Sequence, residues 1–164
     1  MRLGWMLAAA LLVAPVAARA DASAEPKLTQ HVTDRTGTLS AEQVAALEAP
    51  LAALEKRKGA QLAILVISST GAQTIEEYSL AVAEANKLGR EKPDDGLLLL
   101  VAKDDRKARI EVGYGLEGAV TDALSSRIIR EYLAPKFRQN DYYGGLSDAE
   151  GALVKLVDGE ALPP

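Results

Sequence analysis

Carboxylates are the side chains of this sequence best suited to chemistry, and four of them stand in two short segments. Asp94 and Asp95 directly precede a long apolar run, whereas Glu117 and Asp122 lie in and just after a glycine-rich segment. The chain has no cysteine and a single histidine, His31. Thiol nucleophiles, disulfides, Cys/His zinc sites and mechanisms that need two histidines are therefore excluded.

Two predicted strands decide whether these carboxylates meet. Residues 96–102 form an almost unbroken apolar run, which indicates a strand covered on both faces. Residues 109–114 alternate between polar and apolar, which indicates a strand with one more polar face. Because only the polar turn 103–107 joins them, we expect an antiparallel hairpin. Residues 113–118 would then return to the edge at which residues 94 and 95 precede the first strand.

Four carboxylates at one sheet edge would repel one another and raise some of their pKa values, unless a divalent cation lay between them. Oxygen ligands favour calcium, with magnesium or manganese as alternatives, over zinc or copper. The sequence thus predicts a metal site formed by Asp94, Asp95, Glu117 and Asp122, with Asp141 as a weaker outer candidate. It identifies no catalytic residue.

Each of these residues also has a simpler interpretation. Either Asp122 or Thr121 is suited to cap the helix that follows, and Asp94-Asp95-Gly96 is typical of an ordinary turn. Glu117 could be a solvated loop acid. His31 is expected to pack or cap near the start of the domain rather than to bind metal.

Glycines 113, 115 and 118 match the dinucleotide-binding pattern G-x-G-x-x-G. No strand is predicted after the helix that follows, so the βαβ unit that gives this pattern its meaning is missing. A nucleotide cofactor is therefore not expected. The glycines instead predict a tight strand-to-helix turn with unusual φ angles.

The remaining pattern predicts one α/β domain with helices covering a small mixed sheet. A strand over 61–68 should lie parallel to the strand 96–102, because a helix connects them. The first predicted helix is 41–58, with a capping box at Ser40 and Gln43, and Pro50 should either kink it or divide it into two shorter helices. The others are 74–89 with a capping box at Thr74 and Glu77, 121–133 ending before Pro135, and a last helix capped by Ser147 and Glu150 that ends near Gly159.

The first twenty residues are typical of a secretory signal peptide. Arg2 precedes an uncharged run from 3 to 18, and Ala18-Arg19-Ala20 fits a small-x-small cleavage site. The run is shorter than the roughly 20 apolar residues of a membrane-spanning helix, although a retained anchor is the alternative. We expect a signal peptide over 1–20, a lead-in segment over 21–30, a domain over 31–160, and a periplasmic or secreted location.

The composition is that of a globular protein, with 48% hydrophobic and 26% charged residues. The formal net charge is −4, and removal of Arg2 and Arg19 would leave 17 basic against 23 acidic residues. A dedicated nucleic-acid-binding protein would normally be basic, so this class of partner is not expected.

Motifs spread over most of the chain resemble the TPM domain. They are Asp34 and Leu39-Ser40, then Pro93-Asp94-Asp95-Gly96-Leu97-Leu98-Leu99, and then Arg109-Ile110-Glu111-Val112-Gly113-Tyr114-Gly115-Leu116-Glu117-Gly118 followed by Thr121-Asp122. The resemblance covers about 31–159. It implies a three-layer α/β/α sandwich, and binding of calcium or other divalent cations is known for some members of this family.

The resemblance leaves two classes of function open. Members are exported or membrane-linked and include a plant thylakoid-lumen protein with acid phosphatase activity and a nematode receptor accessory protein. Many bacterial members continue into a transmembrane helix and a glycine-rich tail. Because this sequence ends at Pro163-Pro164, we do not expect attachment to a membrane through such a tail. The slightly favoured hypothesis is a divalent-cation-binding accessory, assembly or repair module for envelope or membrane proteins. The alternative is a metal-dependent phosphatase acting on phosphomonoesters, for which Arg127 and Arg130 are speculative phosphate-binding residues.

Overall fold

The computed structural model describes residues 25–164, so the predicted signal peptide lies outside the described residues. Four strands and five α-helices make up the domain. The strands are β1 (Val32–Asp34), β2 (Gln61–Ile67), β3 (Gly96–Ala102) and β4 (Lys107–Val112), and the helices are α1 (Ala41–Lys58), α2 (Ile75–Ala85), α3 (Asp122–Ile128), α4 (Ala134–Phe137) and α5 (Tyr142–Val157). Within this part of the chain, no helix is long and apolar enough to cross a membrane.

The sheet has the strand order β1-β2-β3-β4. β2 pairs with β3 in parallel, and β3 pairs with β4 in an antiparallel hairpin in which Leu98 faces Glu111. Both pairings confirm the prediction. The structure adds β1, a three-residue edge strand that was not predicted and that lies parallel to β2.

The apolar runs of β2 and β3 divide between two cores because successive side chains point to opposite faces. Ile64 and Leu99 belong to the core under α1 and α5, whereas Leu65 and Leu100 belong to the core under α2. Both faces are buried, which explains why these strands are apolar throughout. The predicted three-layer α/β/α sandwich is confirmed.

The first two helices begin where their caps predict. Ser40 and Gln43 form one capping box, and Thr74 and Glu77 form the other. The helix α1 runs unbroken through Pro50 to Lys58, so the alternative of two shorter helices is wrong.

Two helix boundaries in the C-terminal part differ from the prediction: the end expected before Pro135 and the start of the last helix. The chain does not leave the helical conformation before Pro135, because a π-helical turn over Ile129–Leu133 leads directly into α4. In this turn Ala134 N–H donates to the Ile129 carbonyl, and the wider turn accommodates a proline that cannot donate a helical hydrogen bond. The last helix begins at Tyr142 rather than near Ser147, because Asp141 caps it by accepting a hydrogen bond from Gly144 N–H at 2.8 Å.

The prediction that Ser147 and Glu150 cap the last helix is wrong, because both lie within α5 and Glu150 lies inside the core. It is 5% exposed, and its Oε2 atom has no hydrogen-bond partner. Burial raises the pKa of Glu150 to about 8, and the charge of Glu48 adds to this effect. Glu150 is therefore mainly protonated in the folded protein at neutral pH.

We expect the stability of the protein to fall as pH rises from about 5 to 8, because the folded state holds a proton that the unfolded state releases. The slope reaches at most about 1.4 kcal/mol per pH unit. The variant E150Q should remove the part of this dependence that comes from Glu150, leaving that of His31, and should be more stable than the wild type at pH 8. Urea unfolding at several pH values measures the free energy of unfolding for each variant, and Glu160→Gln, at an exposed position, is the control. Parallel curves for E150Q and the wild type would contradict the expectation.

Candidate functional site

The start of β3 and the end of β4 meet at one edge of the sheet, as the hairpin predicts. Gly113 N–H donates to the Gly96 carbonyl at 2.7 Å, and Gly115 N–H donates to the Asp94 carbonyl at 2.9 Å. Tyr114 N–H donates to Asp94 Oδ2 at 2.9 Å. Asp94 is thus bonded to the glycine-rich segment through both its backbone and its side chain. We call Asp94 together with residues 113–117 the acidic edge.

The glycines of the acidic edge are required by space. A Cβ atom at Gly113 would lie 2.4 Å from the Asp94 carbonyl oxygen, and one at Gly115 would lie 1.8 Å from the Pro93 carbonyl oxygen. Neither has a positive φ, nor does Gly118, so the predicted unusual φ angles are wrong. The positive φ at this edge belongs to Asp94, at 48°. The close approach of two backbones, rather than an unusual φ, is what excludes side chains here.

Asp95 faces a different partner from Asp94. Its side chain is only 8% exposed and forms a salt bridge with Arg90. Arg90 N–H donates to Oδ1 at 2.8 Å and Arg90 Nε donates to Oδ2 at 2.9 Å. Burial would raise the pKa of Asp95, but the hydrogen bonds and charge of Arg90 outweigh it and lower the pKa. Both carboxylate oxygens thus already accept hydrogen bonds from Arg90, a residue that was not among the predicted site residues.

A cleft of about 640 Å³ lies between α2 and the acidic edge. Asp94 and Glu117 both line it, whereas Asp95 and Asp122 do not. Asp122 is exposed at the start of α3, and the cap of that helix is Thr121, whose Oγ1 accepts from Leu124 N–H at 3.3 Å. Two of the four predicted carboxylates therefore share one cleft. Among residues 25–164, no three His, Asp or Glu side chains are grouped as metal ligands would be.

The lining of this cleft combines negative charge with exposed apolar surface. Five carboxylates line it, and the cations are Lys87 and Arg90, of which Arg90 is paired with Asp95. The large apolar side chains that are exposed in the described chain are Leu80 at 48% and Tyr114 at 79%, and both border the cleft. This combination is typical of a surface that binds another molecule.

The other two candidates have structural roles. The His31 ring bridges two glutamates of α1, with Nδ1 against Glu48 and Nε2 at 2.6 Å from Glu55 Oε2. Burial disfavours the charged imidazolium, but the bonds to both glutamates outweigh it and raise the pKa of His31. Asp141 caps α5. His31 thus fastens the start of β1 to α1, in agreement with the expected packing role.

The glycine-rich segment supplies a direct test of the acidic edge. We expect Gly115→Ala to destabilise the protein by about 1–3 kcal/mol, because its new methyl group would clash with the Pro93 carbonyl. Gly118→Ala is the matched control, since nothing lies within 4 Å of its Cβ position. Urea midpoints measure the difference. Equal midpoints for the two variants would show that the segment is not held against Pro93 and Asp94.

Comparison with solved structures shows the same fold in several bacterial proteins. The N-terminal domain of a protein from P. gingivalis is 38% identical with a TM-score of 0.73, over 80% of this chain and 83% of that one. The N-terminal domain of cg2496 from Corynebacterium glutamicum is 17% identical with a TM-score of 0.63, over 87% and 90%. BA42 from Bizionia argentinensis is 20% identical with a TM-score of 0.63, over 76% and 91%. No curated protein sequence matches.

The sequence profile of the TPM domain matches residues 32–156. That span runs from β1 to the end of α5 and includes the whole acidic edge. The chain therefore belongs to the TPM domain family.

Proposed function

We propose that this protein is an exported, divalent-cation-binding accessory module of the cell envelope, and that its partner binds in the cleft beside α2. The observation that carries the proposal is the lining of this cleft, in which two exposed apolar side chains, Leu80 and Tyr114, lie among several carboxylates. Membership of the TPM domain family and the signal-like N-terminus support an exported binding module.

The cation would be held by Asp94 and Glu117, which line the cleft together. Asp122 would add negative charge from the start of α3, whereas Asp95 is engaged by Arg90 and would contribute only through its charge. Calcium suits this edge best because it tolerates irregular geometry and completes its shell with carbonyl and water oxygens, and magnesium or manganese are alternatives. A bound cation would neutralise the acidic edge and so strengthen its attachment to β3.

The partner would be a segment of an envelope or membrane protein that carries an apolar side chain beside a basic one. The apolar group would contact Leu80 and Tyr114, which are the exposed apolar parts of the cleft. The basic group would face Glu84 and Glu91, which line the cleft in addition to the proposed cation ligands. The two glutamates are exposed and can attract a cationic side chain.

The alternative, a metal-dependent phosphatase, gains less support from the arginines. Arg127 donates to Glu131 and to the Pro163 carbonyl, and Arg130 donates to Glu131. Arg90, which does line the cleft, is paired with Asp95. Each of these guanidinium groups would have to leave its present partner before it could bind a phosphoryl group.

We expect calcium to raise the melting temperature of the wild-type protein and not that of Asp94→Asn/Glu117→Gln. At one hundred times Kd, binding stabilises the fold by about 2.7 kcal/mol, or roughly 5–10 °C for a domain of this size. Asparagine tolerates the positive φ at position 94, so the variant should fold. Asp104→Asn/Glu160→Gln removes the same charge elsewhere and is the control. An increase that persists in Asp94→Asn/Glu117→Gln would rule out this site.

Phosphatase activity separates the two functions. We expect the wild type and Asp94→Asn/Glu117→Gln, purified identically, to release equal traces of phosphate from p-nitrophenyl phosphate with calcium, magnesium or manganese. The two proteins should release equal amounts because a binding module does not hydrolyse phosphate esters, so any released phosphate would come from contaminating phosphatases. Metal-dependent release that the double variant loses would instead establish the enzymatic alternative.

The cleft can be tested for a partner by site-specific crosslinking. A photoreactive phenylalanine analogue at Leu80 should crosslink to a discrete envelope protein in calcium, and the yield should fall when calcium is chelated or when Glu84 and Glu91 are changed to Gln. The same analogue at the exposed Glu160 is the control. Equal crosslinking from both positions, or crosslinking that ignores calcium and charge, would contradict a binding role for the cleft.

A further inference from the structure

A second cavity lies at the opposite end of the β3–β4 hairpin from the acidic edge. It has a volume of about 400 Å³ and lies where β3 ends and β4 begins. Its other walls are the π-helical turn, α4 and the first residue of α5. The volume is within the range of small-molecule binding sites. We call this cavity the basic pocket because of its charged residues, described next.

Every charged side chain that lines the basic pocket is cationic. The four are Lys103, Arg106, Lys107 and Arg138. Within residues 25–164, none of the four forms a salt bridge. Four unpaired cations around one cavity produce a positive potential that attracts anions, in a protein whose net charge is −4.

The contacts of these cations are with uncharged groups or fall short of a direct ion pair. Lys103 Nζ donates to Thr38 Oγ1 at 3.1 Å and lies 4.6 Å from the centre of the Tyr142 ring, so its partners are uncharged. The carboxylate of Asp105 lies near Lys107, but it does not line the pocket and accepts hydrogen bonds from Ser69 and Thr70.

The inner surface of the basic pocket is apolar. Ala108 of β4, Ile129 of the π-helical turn and Phe137 of α4 line it and are partly exposed, and the buried Leu133 lies behind them. A π-helical turn is rare and is often found at functional sites. Here it directly precedes the helix that contains Pro135, and its residue Ile129 lines the pocket.

We propose that the basic pocket binds a small organic anion, whose apolar body packs against Ile129 and Phe137 and whose phosphate or carboxylate group faces Arg106, Lys107 and Arg138. An inorganic anion would leave the apolar wall unused, and a neutral apolar molecule would leave the four cations unpaired. The ligand therefore carries both a negative group and an apolar group. This chemistry is shared by soluble alkyl phosphates and by the head group and adjoining chain of an anionic lipid.

The test uses hexyl phosphate as the probe, with inorganic phosphate and hexanol as its two halves. We expect saturable binding by calorimetry, at least tenfold tighter for hexyl phosphate than for either half, with NMR shift changes at the amides of Ala108 and Ala134. Absence of saturable binding, or equal affinity for hexyl phosphate and inorganic phosphate, would overturn the proposal.

Variants separate the pocket from general charge attraction. Arg106→Asn/Arg138→Gln should weaken hexyl phosphate binding at least tenfold, and asparagine suits the positive φ of 52° at position 106. The control Lys56→Gln/Lys92→Gln removes the same charge from exposed sites and should bind as the wild type does. Ala134→Leu should block binding while it keeps all four cations, and Ala108→Leu replaces it if that variant unfolds. The proposal would be overturned if the control variant lost as much affinity for hexyl phosphate, or if neither leucine variant weakened binding.

A lipid arm identifies the source of the anion. If the wild-type protein sediments with phosphatidylglycerol vesicles but not with phosphatidylcholine vesicles, and Arg106→Asn/Arg138→Gln sediments with neither, the result would support the pocket and identify a lipid head group. Binding of hexyl phosphate without vesicle binding would support the pocket and identify a soluble anion.

Discussion

Three backbone N–H groups hold the end of β4 against the start of β3, and the candidate site depends on them. The donors are Gly113, Tyr114 and Gly115, and the acceptors are the Gly96 carbonyl and two oxygens of Asp94. These bonds require backbone contact so close that side chains at Gly113 and Gly115 would clash. The constraint places Asp94 and Glu117 beside one cleft although they are distant in the chain. The same constraint leaves Tyr114 exposed next to them.

The hairpin also separates charge along the sheet. One end carries the acidic edge, and the other end carries the four cations of the basic pocket. The seven residues of β3 span about 20 Å, so the two regions are well beyond the screening length of about 8 Å at physiological salt. A cation at one end and an organic anion at the other would therefore bind with little direct electrostatic influence on each other. The polar turn 103–107 supplies three of the four cations, and the glycine-rich segment supplies Tyr114 and Glu117.

Local patterns predicted most of the fold, including the pairing of β2 with β3 and of β3 with β4, but not the features that depend on tertiary contacts. The apolar runs of β2 and β3 and both capping boxes gave correct elements, because each signal lies within a few neighbouring residues. The strand β1 was missed because three residues show no periodicity and are ordered by pairing with β2. The early start of α5 was missed because Gly144 and Gly145 disfavour a helix. In the structure Asp141 caps this helix, and the Phe137 ring lies so close to Gly145 that a Cβ there would clash. In the site, the shared edge was predicted, whereas the pairing of Asp95 with Arg90 and the basic pocket depend on side-chain placement that spacing does not encode.

The central claim is that a divalent cation binds between Asp94 and Glu117, and anomalous diffraction from crystals soaked in manganese chloride tests it most directly. Manganese accepts the same oxygen ligands as calcium and magnesium and can be located by its anomalous signal. The account predicts a peak at the acidic edge, within about 2.5 Å of carboxylate oxygens of Asp94 and Glu117, that is absent from crystals of Asp94→Asn/Glu117→Gln. A fully soaked wild-type crystal with no peak at this edge, or with its peak at other residues, would contradict the account.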